Sequence, residues 1–205
     1  MKMVYSMLAA FTLFLSPGFT GSAAKAAPLA EGSKGSEVIH IQTILNQMGY
    51  LQSGPTGFFG PLTTNAVKQF QRDFHIDAIG LVGPRTISRL NDVNRMAHIV
   101  NGEARGESYK GQVAIAAVIL NRVESNQFPN TIHKVINQTN AFTALNDGQY
   151  YLEPSSSAYR AVKDAFLGSD PTNGSLYYYN PRLATDDWIF TRPVTKQIGN
   201  HVFAN

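Results

Sequence analysis

The sequence has no cysteine, few charged residues and no region where one sign of charge is concentrated. The absence of cysteine excludes disulfide bonds, thiolate metal ligands and a cysteine nucleophile. Charged residues make up 15% of the 205, and the formal net charge of +3 is not gathered in a cluster. Nucleic-acid binding requires a concentrated basic face, so no nucleic-acid partner is expected. With 43% hydrophobic residues, the chain can fold as one large domain or two small ones.

Motifs for metal binding and for other nucleophiles are missing as well. The five histidines form no His-x-x-x-His pair, and His98 and Glu103 are spaced so that they do not share a helical face. There is no Gly-x-Ser-x-Gly elbow and no glycine loop of the kind that cradles phosphate. We therefore expect neither a metal nor a cofactor.

The N-terminus has the features of an export signal. Lys2 precedes an uncharged, mostly apolar run from Met3 to Leu15, and Ala24-Lys25-Ala26 offers the small-x-small pattern of a signal peptidase site. The apolar run is shorter than the roughly 20 residues that a membrane-spanning helix needs. Residues 1–26 are therefore predicted to be a signal peptide and the protein to be exported. The alternative is an uncleaved membrane anchor.

Residues 32–92 are predicted to form a small domain of three short helices joined by glycine turns. The first helix carries apolar residues at helical spacing, namely Val38, Ile41, Leu45 and Met48. The second and third helices each follow a glycine turn with the same pattern, Gly60-x-x-Thr63 and Gly83-x-x-Thr86. This shared pattern indicates an internal repeat.

One part of this domain resembles a known family. The matching residues are Gly57-Phe58-Phe59-Gly60, Thr63, Ala66-Val67 and Phe70-Gln71. They are similar to the signature of the type 1 peptidoglycan-binding domain, although Thr56 stands where that family often has Asp. The resemblance implies a module that binds glycan strands of peptidoglycan, with Phe58, Phe59 and Phe70 as glycan-binding residues. The alternative is a helical spacer that binds nothing.

Residues 95–205 are predicted to form a second domain, which carries the candidate chemistry. An amphipathic helix that begins near Met96 should end close to Glu103, because glycines stand on both sides of that residue. The segment from Gln112 to Val123 is apolar all round, as a buried central helix is. A carboxyl group beside such a helix is partly desolvated, which favours its protonated form and suits it to general acid catalysis. The alternative is that Glu103 and Arg105 are ordinary polar residues at a helix end.

The C-terminal half is rich in aromatic residues next to Gly, Asn and Pro. Short strands or extended loops are predicted for three aromatic runs, namely Tyr150-Tyr151, Leu176 to Tyr179 and Trp188-Ile189-Phe190. A helix is predicted between the first two, over residues 154–167. Aromatic faces can pack on sugar rings, and the alternative is that these rings fill a small core. His201 lies in an apolar strand, where a core residue is more typical than a catalyst.

Several stretches of this domain carry a second resemblance: Asn101-x-Glu103-Ala104-Arg105-Gly106-Glu107, Gly111-Gln112-Val113-Ala114-x-Ala116-Ala117-Val118-Ile119-Leu120-Asn121-Arg122-Val123, Phe128-Pro129-Asn130-Thr131-Ile132, Tyr177-Tyr178-Tyr179-Asn180-Pro181 and Ile198-Gly199-Asn200-His201-Val202-Phe203. They are similar to the catalytic domain of spore cortex-lytic enzymes of the SleB and CwlJ type. That family typically has Gln-Phe-Ser where this chain has Ala141-Phe142-Thr143, and Ala where it has Gly102. The glycine is expected to loosen the helix end beside Glu103.

The resemblance implies a lysozyme-like catalytic domain and, with the first domain, an α+β protein that is mainly helical with short β-strands. It also implies cleavage between N-acetylmuramic acid and N-acetylglucosamine, with Glu103 as the catalytic acid and base. Supporting or substrate-binding roles are expected for Arg105, Phe142, Thr143, Tyr178 and His201. Among these, Thr143 is expected to hydrogen-bond Glu103 or an acetamido group, Tyr178 to line the sugar groove, and Arg105 to hold the helix end.

The supply of carboxyl groups favours one mechanism. Ordinary glycosidases use two carboxyl groups roughly 5 to 9.5 Å apart, and no second one lies in a segment with other features of an active site. A lytic transglycosylase needs only one, because the C6 hydroxyl of muramic acid replaces the attacking water. We therefore predict 1,6-anhydro-muramic products. Two alternatives stay open, an N-acetylmuramoyl-L-alanine amidase and a non-catalytic wall-binding protein.

The same resemblance implies the setting in which the protein acts. The expected substrate is the peptidoglycan of the spore cortex, degraded during germination. The expected location is the cell wall or the cortex at the surface of the inner spore membrane. An inhibitory accessory protein is expected as a partner, and the chain is expected to be a monomer.

Overall fold

Residues 27–205 form a mainly helical protein with one small β-sheet in the computed structural model, and the predicted signal peptide lies outside these described residues. The helices are α1 (Ser36–Gln47), α2 (Pro61–Asp73), α3 (Pro84–Ala104), α4 (Tyr109–Glu124), α5 (Ile132–Ile136), α6 (Thr143–Asn146), α7 (Ser156–Phe166) and α8 (Asp187–Phe190). The strands are β1 (Tyr177–Tyr179), β2 (Val194–Ile198) and β3 (His201–Ala204), and a 3₁₀ helix spans Gln149–Tyr151. The predicted α+β class is confirmed. Within residues 27–205, no helix combines the length and the apolar character that crossing a membrane requires.

The N-terminal region contains the repeat that the sequence indicated. In each copy a buried glutamine ties a glycine turn to the start of the next helix. Gln42 accepts from Gly57 N and donates to Thr63 Oγ1, and Gln71 accepts from Gly80 N and donates to Thr86 Oγ1. The turn glycines have positive φ values of 74° and 80°, a region that other residues rarely adopt. The glutamine amides therefore stand in for backbone pairing that these turns cannot supply on their own.

Helix α3 differs from the prediction of a short third helix followed by a separate one. It is a single helix of 21 residues, about 30 Å long. No glycine or proline interrupts the chain between Arg85 and Asn101, so nothing ends the helix in that interval. The expected boundary between residues 92 and 95 falls inside it, where Val93, Met96 and Ala97 are fully buried.

Helix α4 is the buried centre of the C-terminal region, as its apolar sequence predicted. Its residues from Gly111 to Ile119 are all buried, and it packs against both α3 and α7. Beside it, the three strands form an antiparallel sheet in the order β1-β3-β2. In this register Tyr178 lies opposite Phe203. The sheet therefore brings the middle of β1 to the end of α3.

Two aromatic segments were assigned wrongly as strands or extended loops. Tyr150 and Tyr151 lie in the 3₁₀ helix, and Trp188 to Phe190 lie in α8. The Asp186 side chain caps α8 by accepting from Trp188 N at 2.9 Å. Aromatic residues signal a partly buried surface more than a particular backbone geometry, which is why the pattern misled.

Candidate active site

Glu103 is the penultimate residue of α3 and is held at both carboxylate oxygens. Thr143 Oγ1 donates to Glu103 Oε1 at 3.0 Å, and Ala144 N donates to the same oxygen at 2.8 Å. Tyr178 OH donates to Oε2 at 3.0 Å. The side chain is partly buried. Three donors from two different segments therefore fix the carboxylate in one orientation at the end of the helix.

Gly102 explains how α6 comes so close to Glu103. A Cβ atom on Gly102 would lie 2.5 Å from the Cβ of Ala144, so with any other residue at this position α3 or α6 would have to shift. Helix α3 continues past Gly102 to Ala104. The missing side chain makes room for Ala144, whose N–H donates to Glu103, while the loosening of the helix end stays a prediction.

Tyr178 is a neutral donor under all ordinary conditions. Burial raises the pKa of Tyr178 well above its usual value, and the negative charge of Glu103 adds to the rise. The phenol ring packs edge-on against the His201 ring, with 5.5 Å between centroids. The sheet thus presents a fixed O–H group to the carboxylate.

A groove lies beside these groups. It has a volume of about 660 Å³, and Thr143 and Tyr178 form part of its wall. Tyr177 and Trp188 also line it, with their rings edge to face at 5.2 Å between centroids. Aromatic faces bordered by hydroxyl and amide groups suit a saccharide, because sugar rings have apolar C–H faces and polar rims.

A second carboxylate, Glu107, lies near the site but is occupied by the protein itself. Its side chain is 9% exposed, and Oε1 lies 3.6 Å from His201 Nδ1. Asn200 donates to it twice, from Nδ2 at 2.9 Å and from the backbone N at 3.3 Å. A Cβ atom on Gly199 would collide with this carboxylate. Glu107 therefore holds the turn between β2 and β3.

Arg122 is a groove residue that stands in one of the stretches carrying the family resemblance, but the sequence analysis assigned it no role. It is 6% exposed, and its Nε donates to Leu176 O at 2.7 Å. The guanidinium carbon lies 5.2 Å from the ring centre of Phe128, 5.3 Å from that of Phe142 and 5.8 Å from that of Tyr177. Burial lowers the pKa of Arg122, and the neighbouring Tyr178, Tyr177 and Glu103 oppose that shift. An arginine within the apolar helix α4 was the available signal.

Family models match both parts of the chain. Residues 34–90 match a peptidoglycan binding domain, and residues 106–204 match the Cell Wall Hydrolase family. The spore cortex-lytic enzyme of Bacillus cereus is 39% identical over 220 aligned positions, which cover 85% of each chain. The chain belongs to the spore cortex-lytic enzyme family of cell wall hydrolases.

Solved structures from this family resemble the C-terminal region. The catalytic domain of the Bacillus cereus SleB protein is 57% identical with a TM-score of 0.54, covering 56% of this chain and 90% of that one. The catalytic domain of the germination-specific lytic transglycosylase SleB from Bacillus anthracis gives the same identity and TM-score and is covered to 94%. The resemblance to this family that the sequence indicated is therefore confirmed.

The structure brings some of the expected site residues of this cell wall hydrolase together and leaves others apart. Thr143 and Tyr178 contact Glu103 directly, and His201 contacts Tyr178. Phe142 is buried behind Thr143, against Arg122. Arg105 is exposed, and its side chain forms no hydrogen bond or ion pair with any of residues 27–205. Its expected hold on the helix end has no contact to support it.

The expected glycan-binding aromatic residues divide in the same way. Phe58 is 46% exposed, with Lys34 Nζ 5.6 Å from its ring centre. Phe59 and Phe70 are fully buried in the core of the N-terminal region. A fully buried ring has no surface for a ligand, so the assignment of these two as glycan contacts was wrong. They are core residues that support the turn carrying Phe58.

Proposed function

We propose that this protein cuts the glycan strands of spore cortex peptidoglycan between N-acetylmuramic acid and N-acetylglucosamine, as a lytic transglycosylase. Residues 32–92 bind the strand and residues 95–205 cut it. The proposal rests chiefly on the Glu103 carboxylate, which three donors hold beside an aromatic groove. The names of the relatives support the substrate, and the similarity to the lytic transglycosylase SleB of Bacillus anthracis supports the reaction.

Glu103 acts twice on the same bond. As the carboxylic acid, it gives its proton to the glycosidic oxygen while the bond from that oxygen to C1 of muramic acid breaks. As the carboxylate, it takes the proton of the C6 hydroxyl, whose oxygen bonds to C1 and closes the 1,6-anhydro ring. The proton returns to Glu103, so the enzyme is regenerated. No water is consumed, because the attacking hydroxyl belongs to the sugar itself.

The three donors matter most between the two steps, when Glu103 is ionised. Thr143 Oγ1 and Ala144 N both point at Oε1, and Tyr178 OH points at Oε2. Hydrogen bonds to a carboxylate are stronger than those to the neutral acid, so they stabilise the charged form that accepts the second proton. A preorganised set of donors does this without rearrangement during the reaction.

Hydrolysis by the usual glycosidase route requires a second carboxylate. Glu107 is engaged by Asn200 and His201 and is therefore not free to act on a sugar. Asp186 lines the groove, and its Oδ1 caps α8 at Trp188 N. Asp186 is consequently the one groove carboxylate, among residues 27–205, that a hydrolytic mechanism could recruit.

Mass spectrometry of digested cortex peptidoglycan tests the reaction. The expected products end in 1,6-anhydro-muramic acid, and Glu103→Gln should reduce their formation by about a thousandfold or more. Asp186→Asn serves as the matched carboxylate variant and should retain the anhydro products. Reducing-end products that disappear in Asp186→Asn would show two-carboxylate hydrolysis instead.

The same Glu103→Gln variant tests the alternatives. It should still sediment with peptidoglycan, because the binding module is unchanged, while lysis is lost. Release of free peptides with chelator sensitivity would indicate an amidase. If wild-type protein binds strands without cutting them, the protein is a binding protein only. Export by residues 1–26 and action at the wall or cortex belong to the proposal, and spore fractionation with detection of the mature N-terminus tests them.

A further inference from the structure

Arg122 is a buried cation that has no acidic partner among residues 27–205. Arginine at this depth is usually paired with a carboxylate, since removing a charge from water is costly. Its only hydrogen bond to that part of the chain is the one from Nε to Leu176 O. The guanidinium group has five N–H donors, so those on the two terminal nitrogens are left without a protein acceptor.

Arg122 forms part of the wall of the groove, so the groove is where its unused donors can find an acceptor. Arg122 lines the cavity that also contains Thr143 and Tyr178, the two side chains that bind Glu103. No side-chain nitrogen or oxygen within residues 27–205 is both sealed from solvent and without a hydrogen bond. The terminal nitrogens of Arg122 are therefore not sealed from solvent, and the groove that Arg122 lines is the open space given for this residue. These N–H groups are therefore available to a ligand in the groove beside Glu103.

The surroundings of the guanidinium group fix it in place without using these donors. Phe128, Phe142 and Tyr177 stand around it at 5.2 to 5.8 Å from the guanidinium carbon to the ring centres. Aromatic rings attract the cation through their faces but accept no directional hydrogen bond in the plane of the guanidinium group. A cation held by rings and one backbone oxygen is rigid, so it loses little entropy when it binds an acceptor.

A guanidinium fork selects a strong oxygen acceptor. Carboxylates and acyl carbonyls match its geometry, whereas sugar hydroxyls and ring ethers are weaker acceptors. Acyl oxygens occur on glycan strands of peptidoglycan in the acetamido groups and in the lactyl substituent of muramic acid. On the basis of the proposed function, we propose that Arg122 is a specificity residue that donates its terminal N–H groups to an acyl oxygen of the bound sugar.

A structural role alone predicts a different behaviour. If Arg122 only held Leu176 and β1, its removal would weaken the support of Tyr178 and lower activity on every substrate equally. A recognition role links the effect of the variant to one chemical group of the substrate. The coupling between the protein change and the substrate change separates the two roles.

The experiment measures kcat and KM for wild type and Arg122→Met on three kinds of strand. These are peptide-free glycan strands, the same strands after N-deacetylation, and strands whose lactyl carboxyl group is reduced to the alcohol. We expect Arg122→Met to lower kcat/KM on intact strands by about tenfold to a hundredfold, mainly through KM. One of the two modifications should lower kcat/KM of wild type by a similar factor but should lower that of Arg122→Met little further. The modification that does so identifies the acyl group that Arg122 binds.

Arg192→Met is the matched control. Arg192 also packs against Tyr177 and Trp188 and donates its Nε to a backbone oxygen, that of Asn205, but it does not line the groove. It should respond to the substrate modifications as wild type does. If each substrate modification lowers kcat/KM by the same factor in Arg122→Met as in wild type, the proposal is overturned.

A second variant and a binding measurement keep the outcomes separate. Arg122→Lys keeps the charge but lacks the fork, and it is the variant to use if Arg122→Met folds poorly. Its kcat/KM on intact strands should lie between that of wild type and that expected for Arg122→Met. Should wild type bind strands without cutting them, the proposed reaction fails. Titration of the same three kinds of strand would then test Arg122 on affinity alone, with the same expected coupling.

Discussion

At the scale of single residues, Tyr178 provides the one hydrogen bond to Oε2 of Glu103 among residues 27–205, whereas Oε1 has two donors. Tyr178→Phe keeps the ring and removes only the hydroxyl. We expect activity to fall by about tenfold to a hundredfold, because a hydrogen bond to a charged group is lost. The rate of glycan cleavage measures this. Tyr177→Phe, which removes a groove hydroxyl that does not contact Glu103, should have a much smaller effect, and equal effects would contradict the assigned role.

The role of the Thr143 hydroxyl can be tested with a threonine-to-valine change, and the same change at Thr139 serves as the control. Thr143→Val removes the hydroxyl donor to Oε1 but leaves the backbone donor of Ala144 in place. The expected loss of activity is about tenfold, smaller than that for Tyr178→Phe, because one donor to this oxygen remains. Thr139→Val makes the same chemical change elsewhere on the groove wall. It should leave the rate within about twofold of wild type.

Replacing Gly102 by alanine has two opposing effects on stability. Replacing a helical glycine by alanine gains about 1 kcal/mol of helix propensity. Forcing a methyl group against Ala144 costs about 1–3 kcal/mol and displaces the N–H group that binds Glu103. We therefore expect Gly102→Ala to lower activity more than stability. Parallel rate and thermal unfolding measurements check this, with Gly106→Ala, which meets nothing within 4 Å, as the control.

At the scale of elements, the turn between β2 and β3 depends on Glu107. Its two hydrogen bonds from Asn200 and its contact with His201 join this turn to the loop that follows α3. Because His201 packs on Tyr178, the turn also supports the donor to Glu103. Glu107 is therefore a positioning residue that acts on the site through His201 and Tyr178.

This turn predicts a dependence of stability on pH. Burial lowers the pKa of His201, although Glu107 and Glu103 oppose the shift. The unfolded state, with a His pKa of about 6.5, then binds the proton more tightly than the folded state. Stability from this group is present above about pH 6.5 and is lost as the pH falls toward the lower folded pKa.

Melting temperatures at pH 7.5 and pH 5 measure the effect. His201→Gln should lose less stability between these two pH values than wild type does. His40→Gln, which changes an exposed histidine, should behave like wild type. An unchanged pH response in His201→Gln would show that the acid sensitivity arises elsewhere.

At the scale of the whole molecule, helix α3 joins the region that matches a peptidoglycan binding domain to the region that matches the cell wall hydrolase family. It begins at the second glycine turn of the binding module and ends just after Glu103. Phe74 packs on Phe166 of α7 with 5.0 Å between ring centres, and Lys163 lies 4.0 Å from the ring centre of Tyr50. One continuous core of buried side chains includes residues of both regions. The two parts are therefore expected to move as a unit.

Calorimetry tests this coupling. We expect residues 27–205 to unfold in a single transition whose calorimetric and van't Hoff enthalpies agree. Phe166→Ala removes a ring between the two parts and should cost roughly 2–4 kcal/mol or split the transition. Leu167→Ala, at an exposed neighbouring position, should change little. Two transitions in the wild type would mean that the domains are independent.

The local patterns of the sequence were sufficient for most of the secondary structure. Helix α4, with its unbroken apolar run, and the repeated turns Gly60-x-x-Thr63 and Gly83-x-x-Thr86 follow from residue types at short range. The aromatic runs failed because the same residues serve a strand, a 3₁₀ helix or a short capped helix. The continuity of α3 was missed because the resemblance to two families suggested a break that no glycine or proline marks.

The sequence by itself determined the family and brought Glu103 forward as the candidate catalytic residue, since both depend on motifs that are contiguous along the chain. Only the tertiary structure decided what surrounds that carboxylate. Thr143 lies 40 residues from Glu103 and Tyr178 lies 75 residues away, and Glu107 and Arg122 took their roles from contacts with Asn200 and Leu176. Such roles depend on which segments the buried core brings together. The spacing of residues along the sequence does not give their distance in space.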